Sequence, residues 1–438
     1  MTTLGQWPSY NTLWRWHFYA GLFCIPFVLI LAVTGAIYLF KPQVEASLDA
    51  PYQRLNITGQ PASAAAQVSA ALQAVKGARF EAYQLPDTLQ SAVQVLVKNG
   101  MAVTRVYVHP VNLKILKQQP EDATFMHIVH ELHGTLLLGD RGSMLVELAA
   151  SWAIVMLITG LCLWWPRNTQ GLAGIVYPRL NLTGRVFWRD LHGVTGFWIT
   201  FFTLFLLVSG LPWTKSWGGL LKEVRQIGTV AAVKQDWATG RVDEHAGHHQ
   251  AHMDALPQDH SAIDRLIATV VPLHLAAPVL IAPPSKKSPD WTAKSDAQNR
   301  PLRVNLSLDA DTGAIKSRKD FADRPLLDRI IGTGIAIHEG QLFGWLNQLL
   351  GLLTALGLVL VSVSGLVMWW RRRKSGVLGA PPPGQFQTHV GFLALATTLG
   401  VLLPFLGLSV LMVLLLERAV LRRFAATRDF LGLNKIAA

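Results

Sequence analysis

The sequence predicts a membrane all-α bundle of about five transmembrane helices, built from a duplicated two-helix repeat, with two α+β modules outside the bilayer. Three observations predict it: an apolar composition, five long apolar runs, and an internal duplication. Of the 438 residues, 51% are hydrophobic and 15% charged, and mean hydropathy is +0.31. That is too apolar for an ordinary soluble chain. The runs Phe18 to Phe40, Ser143 to Trp165, Val194 to Trp213, Phe343 to Trp370 and Val390 to Leu416 are each long enough to cross about 30 Å of hydrocarbon at about 1.5 Å per residue.

The duplication is read in two registers. With an offset of 205 and no gap, His133 falls on His338, Gly139 on Gly344, Gly160 on Gly365, and Trp164-Trp165 on Trp369-Trp370. With an offset of 175, His17 falls on His192, Gly21 on Gly196, and Thr34-Gly35 on Ser209-Gly210. Chance matches a Gly or a Leu, but it rarely matches His, Gly and Trp-Trp together. Each unit is an apolar helix with a His at its start, a long polar segment, a second His, and an apolar helix ending in Trp-Trp-basic.

Charge sets the expected orientation. The net charge is +12, and its placement favours a membrane over nucleic acid. Arg371, Arg372, Arg373 and Lys374 abut one span, and Arg167, Arg179, Arg185 and Arg189 fill one short loop. By the positive-inside rule the N-terminus is expected inside and residues 1–40 act as an uncleaved signal anchor. The predicted order is then a periplasmic module at 41–130, a span at 131–165, a cytoplasmic loop at 166–191 and a span at 192–213. A second periplasmic segment at 214–337, a span at 338–370, a loop at 371–385 and a fifth span with its tail at 386–438 complete it. Pro404 interrupts the last run; one tilted or kinked span is expected there, with a helical hairpin as the alternative.

Each polar segment reads as one α+β module. The first has a helix at Ser63 to Val75 and strands at Phe80 to Gln84, Ala92 to Lys98 and Val103 to His109. The second has a helix near Ala262 to Val271, strands near Pro278 to Ile281, Asp290 to Lys294 and Leu302 to Leu308, and a turn at 309–313. Ahead of it lies a His-rich tract with His245, His248, His249 and His252. Such a tract collects copper or zinc through imidazole nitrogens, or is simply a solvated loop.

The repeat assigns depth to four histidines: His17 and His192 at the inner face, His133 and His338 at the outer. Two imidazole pairs at two depths are what bis-histidine ligation of two stacked b-type haems requires. The two cysteines, Cys24 and Cys162, form no CxxCH, so a haem would be held non-covalently; both read as packing residues. Gly21 and Gly196, four residues after their histidines, would let a flat macrocycle approach the backbone. Arg15, Arg185 and Arg189 would neutralise propionates. His130 is a reserve ligand, His389 an edge residue, and Glu147 a hydrogen-bonding group within the bundle.

Arg-Trp-His at 15–17, Leu-His-Gly at 132–134, the terminal Trp-Trp-basic signature and the paired modules resemble the PepSY-associated transmembrane proteins of bacterial inner membranes. Within that family the chain looks like the inner-membrane ferric-siderophore reductases. The resemblance implies haem b ligated by His17, His133, His192 and His338, PepSY-like modules, and reduction of a ferric siderophore or other metal chelate at the periplasmic face. The chain carries no Walker A or GxGxxG motif, so the electrons are expected from a cytoplasmic or quinol donor. Copper handling, a transporter, and a haem-free PepSY regulatory protein are the competing classes.

Overall fold

The computed structural model describes residues 8–166, 171–226, 260–285, 288–382 and 389–433. The helices in chain order are α1 (Tyr10–Leu39), α2 (Lys41–Gln53), α3 (Ala64–Ala74), α4 (Phe125–Thr135), α5 (Gly139–Trp164), α6 (Gly184–Gly210) and α7 (Lys215–Gln226). After these come α8 (Ile263–Val270), α9 (Leu326–His338), α10 (Trp345–Arg372), α11 (Val390–Leu402), α12 (Pro404–Leu416) and α13 (Ala425–Phe430). The strands are β1 (Arg79–Gln84), β2 (Val93–Asn99), β3 (Ala102–Val108), β4 (Ile115–Pro120), β5 (Val279–Ala282), β6 (Trp291–Ser295), β7 (Val304–Leu308) and β8 (Ile315–Asp320). The chain divides into two compact units: residues 1–36, 131–231 and 349–438 form a helical unit, and residues 37–130 and 232–348 form a sheet unit.

In the sheet unit the two expected modules are one body. All eight strands form a single antiparallel sheet in the order β4-β3-β2-β1-β5-β6-β7-β8. The two halves join where β1 pairs with β5, Tyr83 opposite Ile281 and Gln84 opposite Leu280. Pairing closes the exposed edge that each half would otherwise carry, which is the standing hazard of an open sheet. One face is covered by α3 and α8, and Val68, Phe80, Val95, Val106, Ile263, Leu266, Ile281 and Leu306 share a single core. Asp264 of α8 accepts from the N–H groups of Ala64 and Ala65, at 2.6 and 3.2 Å, and so caps the start of α3.

Two strands escape the sequence pattern, β4 and β8. The burial of β8 is exposed along nearly its whole length, so neither hydrophobic alternation nor an apolar run announces an edge strand of this kind. A third register, offset 200, does relate the two hairpins. His109 N–H bonds Lys114 O and Asp309 N–H bonds Ala314 O, each at 2.9 Å. The Asp309 carboxylate accepts from Thr312 N–H at 2.9 Å and Asp311 N–H at 3.0 Å. Those N–H groups and the Lys316 ammonium hold it below the usual carboxylate range. Near the join, Arg105 is buried and donates to both Glu121 oxygens, at 2.6 and 3.2 Å, to Gln84 at 2.7 Å, and to Gln94. A buried guanidinium is tolerated here because its donors meet acceptors.

In the helical unit, five helices are long and apolar enough to cross a membrane: Tyr10–Leu39, Gly139–Trp164, Gly184–Trp213, Trp345–Arg372 and Pro404–Leu421. The fifth departs from the single span expected over Val390 to Leu416. Pro404 has no N–H to continue a helix, the chain breaks at Leu403, and α11 folds back against α12. At the crossing, a β-carbon on Gly407 would stand 2.8 Å from Gly400 O and 3.2 Å from its Cα; only glycine permits that approach. Trp152 Nε1 bonds Ser409 Oγ at 3.1 Å and Trp217 Nε1 bonds Leu402 O at 3.0 Å, which fixes the hairpin on α5 and α7. The tail returns to the end where α1 begins: Leu378 N–H bonds Phe430 O at 2.9 Å, and Tyr19 OH bonds Leu431 O at 2.5 Å.

A hairpin makes a definite prediction about sidedness. In a chain with Cys24 and Cys162 replaced by Ala, single cysteines at Leu378 and at Leu433 should be labelled by an impermeant maleimide from the same side of sealed vesicles. Labelling from opposite sides would restore the single kinked span.

Candidate haem-ligating site

His17 lies two turns into α1 and faces α5. Its Nδ1 is 3.0 Å from Thr159 Oγ1. The Thr159 hydroxyl has one proton, which it donates to Val155 O at 2.8 Å. The hydroxyl must therefore accept from His17, which places the imidazole proton on Nδ1 and leaves a lone pair on Nε2. The next residue makes room for the ring: a β-carbon on Gly160 would sit 3.2 Å from His17 Cε1.

His192 of α6 is seated the same way on α10. Its Nδ1 is 3.0 Å from Val361 O, which can only accept, and 3.1 Å from Ser364 Oγ; Ser364 in turn donates to Val361 O at 3.0 Å. A β-carbon on Gly365 would be 3.4 Å from His192 Cε1. The two rings thus have their Nδ1 atoms bound to opposite helices, with centroids 6.2 Å apart and planes at 88°. A metal–imidazole bond is roughly 2 Å long and the ring centre lies about 1 Å further, so two imidazoles on either side of one metal have centres about 6 Å apart. The pair fits that spacing. Among the described residues no group of three or more His, Cys, Asp or Glu could hold a metal ion. Two imidazoles alone suit an iron whose other ligands come from a macrocycle.

His133 shows the same device at the other end of the bundle. It lies near the C-terminal end of α4, not at the start of the following span. Its Nδ1 is 3.0 Å from Thr34 Oγ1, which donates to Ile30 O at 2.7 Å, and a β-carbon on Gly35 would stand 3.1 Å from its Cε1. Thr34 is 17 residues beyond His17 on α1, so the two seats are roughly 25 Å apart along the helix. His338 likewise closes a separate short helix, α9, and belongs to the sheet unit. The chain beyond it is fastened within that unit by Asn347 to Ile337 O at 2.9 Å and Gln348 to Leu39 O at 3.0 Å. The fourth hydroxyl-glycine pair, Ser209-Gly210, donates to Phe205 O at 2.7 Å.

The seats, Thr159-Gly160, Ser364-Gly365 and Thr34-Gly35, are contacts of the histidines that the sequence reading did not assign. They stood in view as repeat matches, but their role needs the neighbouring helix. Gly21 and Gly196, expected to let a macrocycle approach the backbone, border open space: a β-carbon on Gly21 would be 3.9 Å from Met156, and one on Gly196 would meet nothing within 4 Å. Of the three expected propionate partners, Arg15 and Arg189 are engaged within the protein. Arg15 donates to Pro381 O and Gly432 O, both at 2.8 Å, and Arg189 shares the buried Asp190 with Arg179. Glu147 is a helix cap: it accepts from Ser216 and Trp217 N–H, at 3.1 and 3.2 Å, at the start of α7. Cys24 is buried against α5, Cys162 is exposed, and neither is in a disulfide. His389 caps α11 by accepting from Gly391 N–H at 3.0 Å, and the reserve ligand His130 stacks obliquely on Tyr38 at 5.6 Å. His245, His248, His249 and His252 lie outside the described residues.

Five helices long and apolar enough to span, with histidines seated on their neighbours, define a multi-pass membrane protein. The chain belongs to the PepSY-associated transmembrane family, whose "PepSY-associated TM region" matches residues 14–372 and so takes in all four histidines and the sheet unit. No curated protein matches it.

The seat predicts a tautomer. In 15N-histidine NMR of the purified protein without added haem, His17 should be the Nδ1–H form at neutral pH, and Thr159→Val should shift it toward a mixture. An unchanged ring signal would show that Thr159 does not fix the proton.

Proposed function

We propose that this protein is a di-haem b oxidoreductase of the bacterial inner membrane, which passes electrons across the bilayer to reduce a periplasmic ferric siderophore or similar chelate and so release the iron. The observation that carries the reading is the His17–His192 pair: two imidazoles 6.2 Å apart, each with Nδ1–H given away and Nε2 available. Haem b held there supplies reversible one-electron chemistry.

The protein's own residues do the positioning. Thr159, Val361 and Ser364 accept the Nδ1–H groups, fix the ring orientations and raise the basicity of Nε2, as outer partners of metal-bound histidines do. Gly160 and Gly365 let each ring lie against its neighbouring helix. His133, seated on Thr34 at the far end of α1, supports a second ligand there, and the sequence repeat, at an offset of 205, names His338 as its counterpart. Two sites at opposite ends of one helix suit electron transfer between the membrane faces without a moving part. One electron from a quinol or a cytoplasmic reductant converts one Fe(III) to Fe(II), which hydroxamate or catecholate oxygens bind far more weakly.

Sidedness rests on charge. The hairpin of α11 and α12 carries Arg418, Arg422, Arg423 and Arg428 toward the end where α1 begins, and Arg371 to Lys374 follow α10 there. A cytoplasmic assignment for that end agrees with the positive-inside rule.

The purified protein should contain about two haems b with low-spin bis-imidazole spectra after dithionite. His17→Ala and His192→Ala should lose one and the same optical component, His133→Ala and His338→Ala the other. Absence of haem from cells well supplied with it would refute the cofactor assignment, and loss of one component by both His17→Ala and His133→Ala would refute the pairing.

Substrate and direction are tested together in sealed, oriented proteoliposomes. Dithionite-reduced protein should be re-oxidised in stopped flow by a ferric hydroxamate added only on the His133 side, and deletion of residues 245–252 should leave that rate largely intact. Inertness to ferric chelates with rapid oxidation by Cu(II), dependent on His248 and His249, would replace iron release by copper handling.

A further inference from the structure

With Arg15 and Arg189 engaged within the protein and only Arg185 left of the expected partners, the haem reading leaves open which cation receives the carboxylates of the cofactor at the His17 end. We propose that Arg372 is that residue, binding a propionate carboxylate of the haem held by His17 and His192; the inference rests on the haem reading above.

Four observations lead to it. Arg372 is in the last turn of α10, with its guanidinium over the rings of Trp14 and Phe18 of α1, at 4.9 and 5.1 Å from their centroids. His17 lies between those two residues in the same turns. Arg372 is thus held against the helix that carries one imidazole, while its own helix seats the other. It is seven residues beyond Gly365, which is two helical turns, nearly the same face, and roughly 10 Å along the axis. Edge carboxylates of a macrocycle centred between the imidazoles reach about that far.

The guanidinium is also incompletely used. Of its five N–H donors, one meets Gly379 O at 2.6 Å, while Nε is buried and meets no acceptor among the described residues. A buried guanidinium donor without an acceptor is costly unless a ligand supplies one. Arg185, at the start of α6, adds a second positive charge felt at Arg372, and among the described residues no carboxylate forms an ion pair with Arg372. The two ring faces hold the cation and shed water from it, which strengthens a charge-assisted bond to an incoming carboxylate.

The test uses full-length protein purified from haem-deprived cells, in a His133→Ala background so that the remaining pair is titrated. Haem b and its dimethyl ester are added to proteins carrying Arg372, Arg372→Gln or Arg372→Lys, and the Soret band is followed. Esterification should weaken binding by about tenfold when Arg372 is present, the size of one charge-assisted bond. Arg372→Gln should weaken haem b similarly, bind the ester as well as Arg372 does, and so abolish the difference, while Arg372→Lys should retain part of it. Equal binding of haem and ester by the Arg372 protein, or losses from ester and Gln that simply add, would overturn the proposal. Failure of the Arg372 protein to bind either compound would overturn the haem reading itself.

Discussion

The site depends on one interaction: the hydrogen bond from a histidine Nδ1–H to an acceptor on the neighbouring helix. At His17 and His133 the acceptor is a threonine hydroxyl whose own proton goes back to its helix. At His192 it is a backbone carbonyl with a serine beside it. In each case the bond removes the choice of tautomer and the freedom of the ring at once, and it satisfies a polar group that hydrocarbon would not. The glycine that follows each hydroxyl lacks the β-carbon that would crowd Cε1, at 3.1 to 3.4 Å. A histidine seated this way is rigid because two helices hold it, so helix packing fixes where its Nε2 lies.

The duplication then turns one device into several. His17 on α5 and His192 on α10 are the same contact made in two repeats, and the rings they present are nearly perpendicular. The Trp-Trp motifs follow the same symmetry. Trp164 donates to Ile175 O at 3.0 Å and Trp369 to Leu378 O at 2.7 Å, so each repeat ties its span to the loop that follows. Duplication shapes the sheet unit too. Each half offers four strands with an inner edge at β1 or β5, and joining these edges gives eight strands one continuous core, with β4 and β8 at the outer edges.

Among the described residues some buried polar groups are closed by partners within the fold, while others, Arg372 Nε among them, meet none. Glu147 is almost fully buried in an apolar helix, which invites a proton-transfer role, yet its carboxylate closes two N–H groups of α7 that would otherwise be bare. Arg15 and Arg189 look available in sequence and are bound in the fold. Arg372 differs because aromatic rings, rather than acids, surround it.

The sequence by itself determined the membrane class, four of the five spans, the repeat, and the four histidines, because hydropathy and residue identity are local properties that a register comparison reads directly. It also named most strands of the sheet, though β8, exposed at the edge, has no hydrophobic alternation to betray it. The tertiary structure decided the rest. Whether two modules share one sheet depends on an edge pairing between residues almost two hundred positions apart. Whether Pro404 kinks a helix or reverses it depends on Gly400 meeting Gly407 and on where Trp152 and Trp217 find acceptors. Which glycine makes room for a histidine ring depends on the opposite helix, since Gly160, Gly365 and Gly35 each lie on the helix that the ring faces.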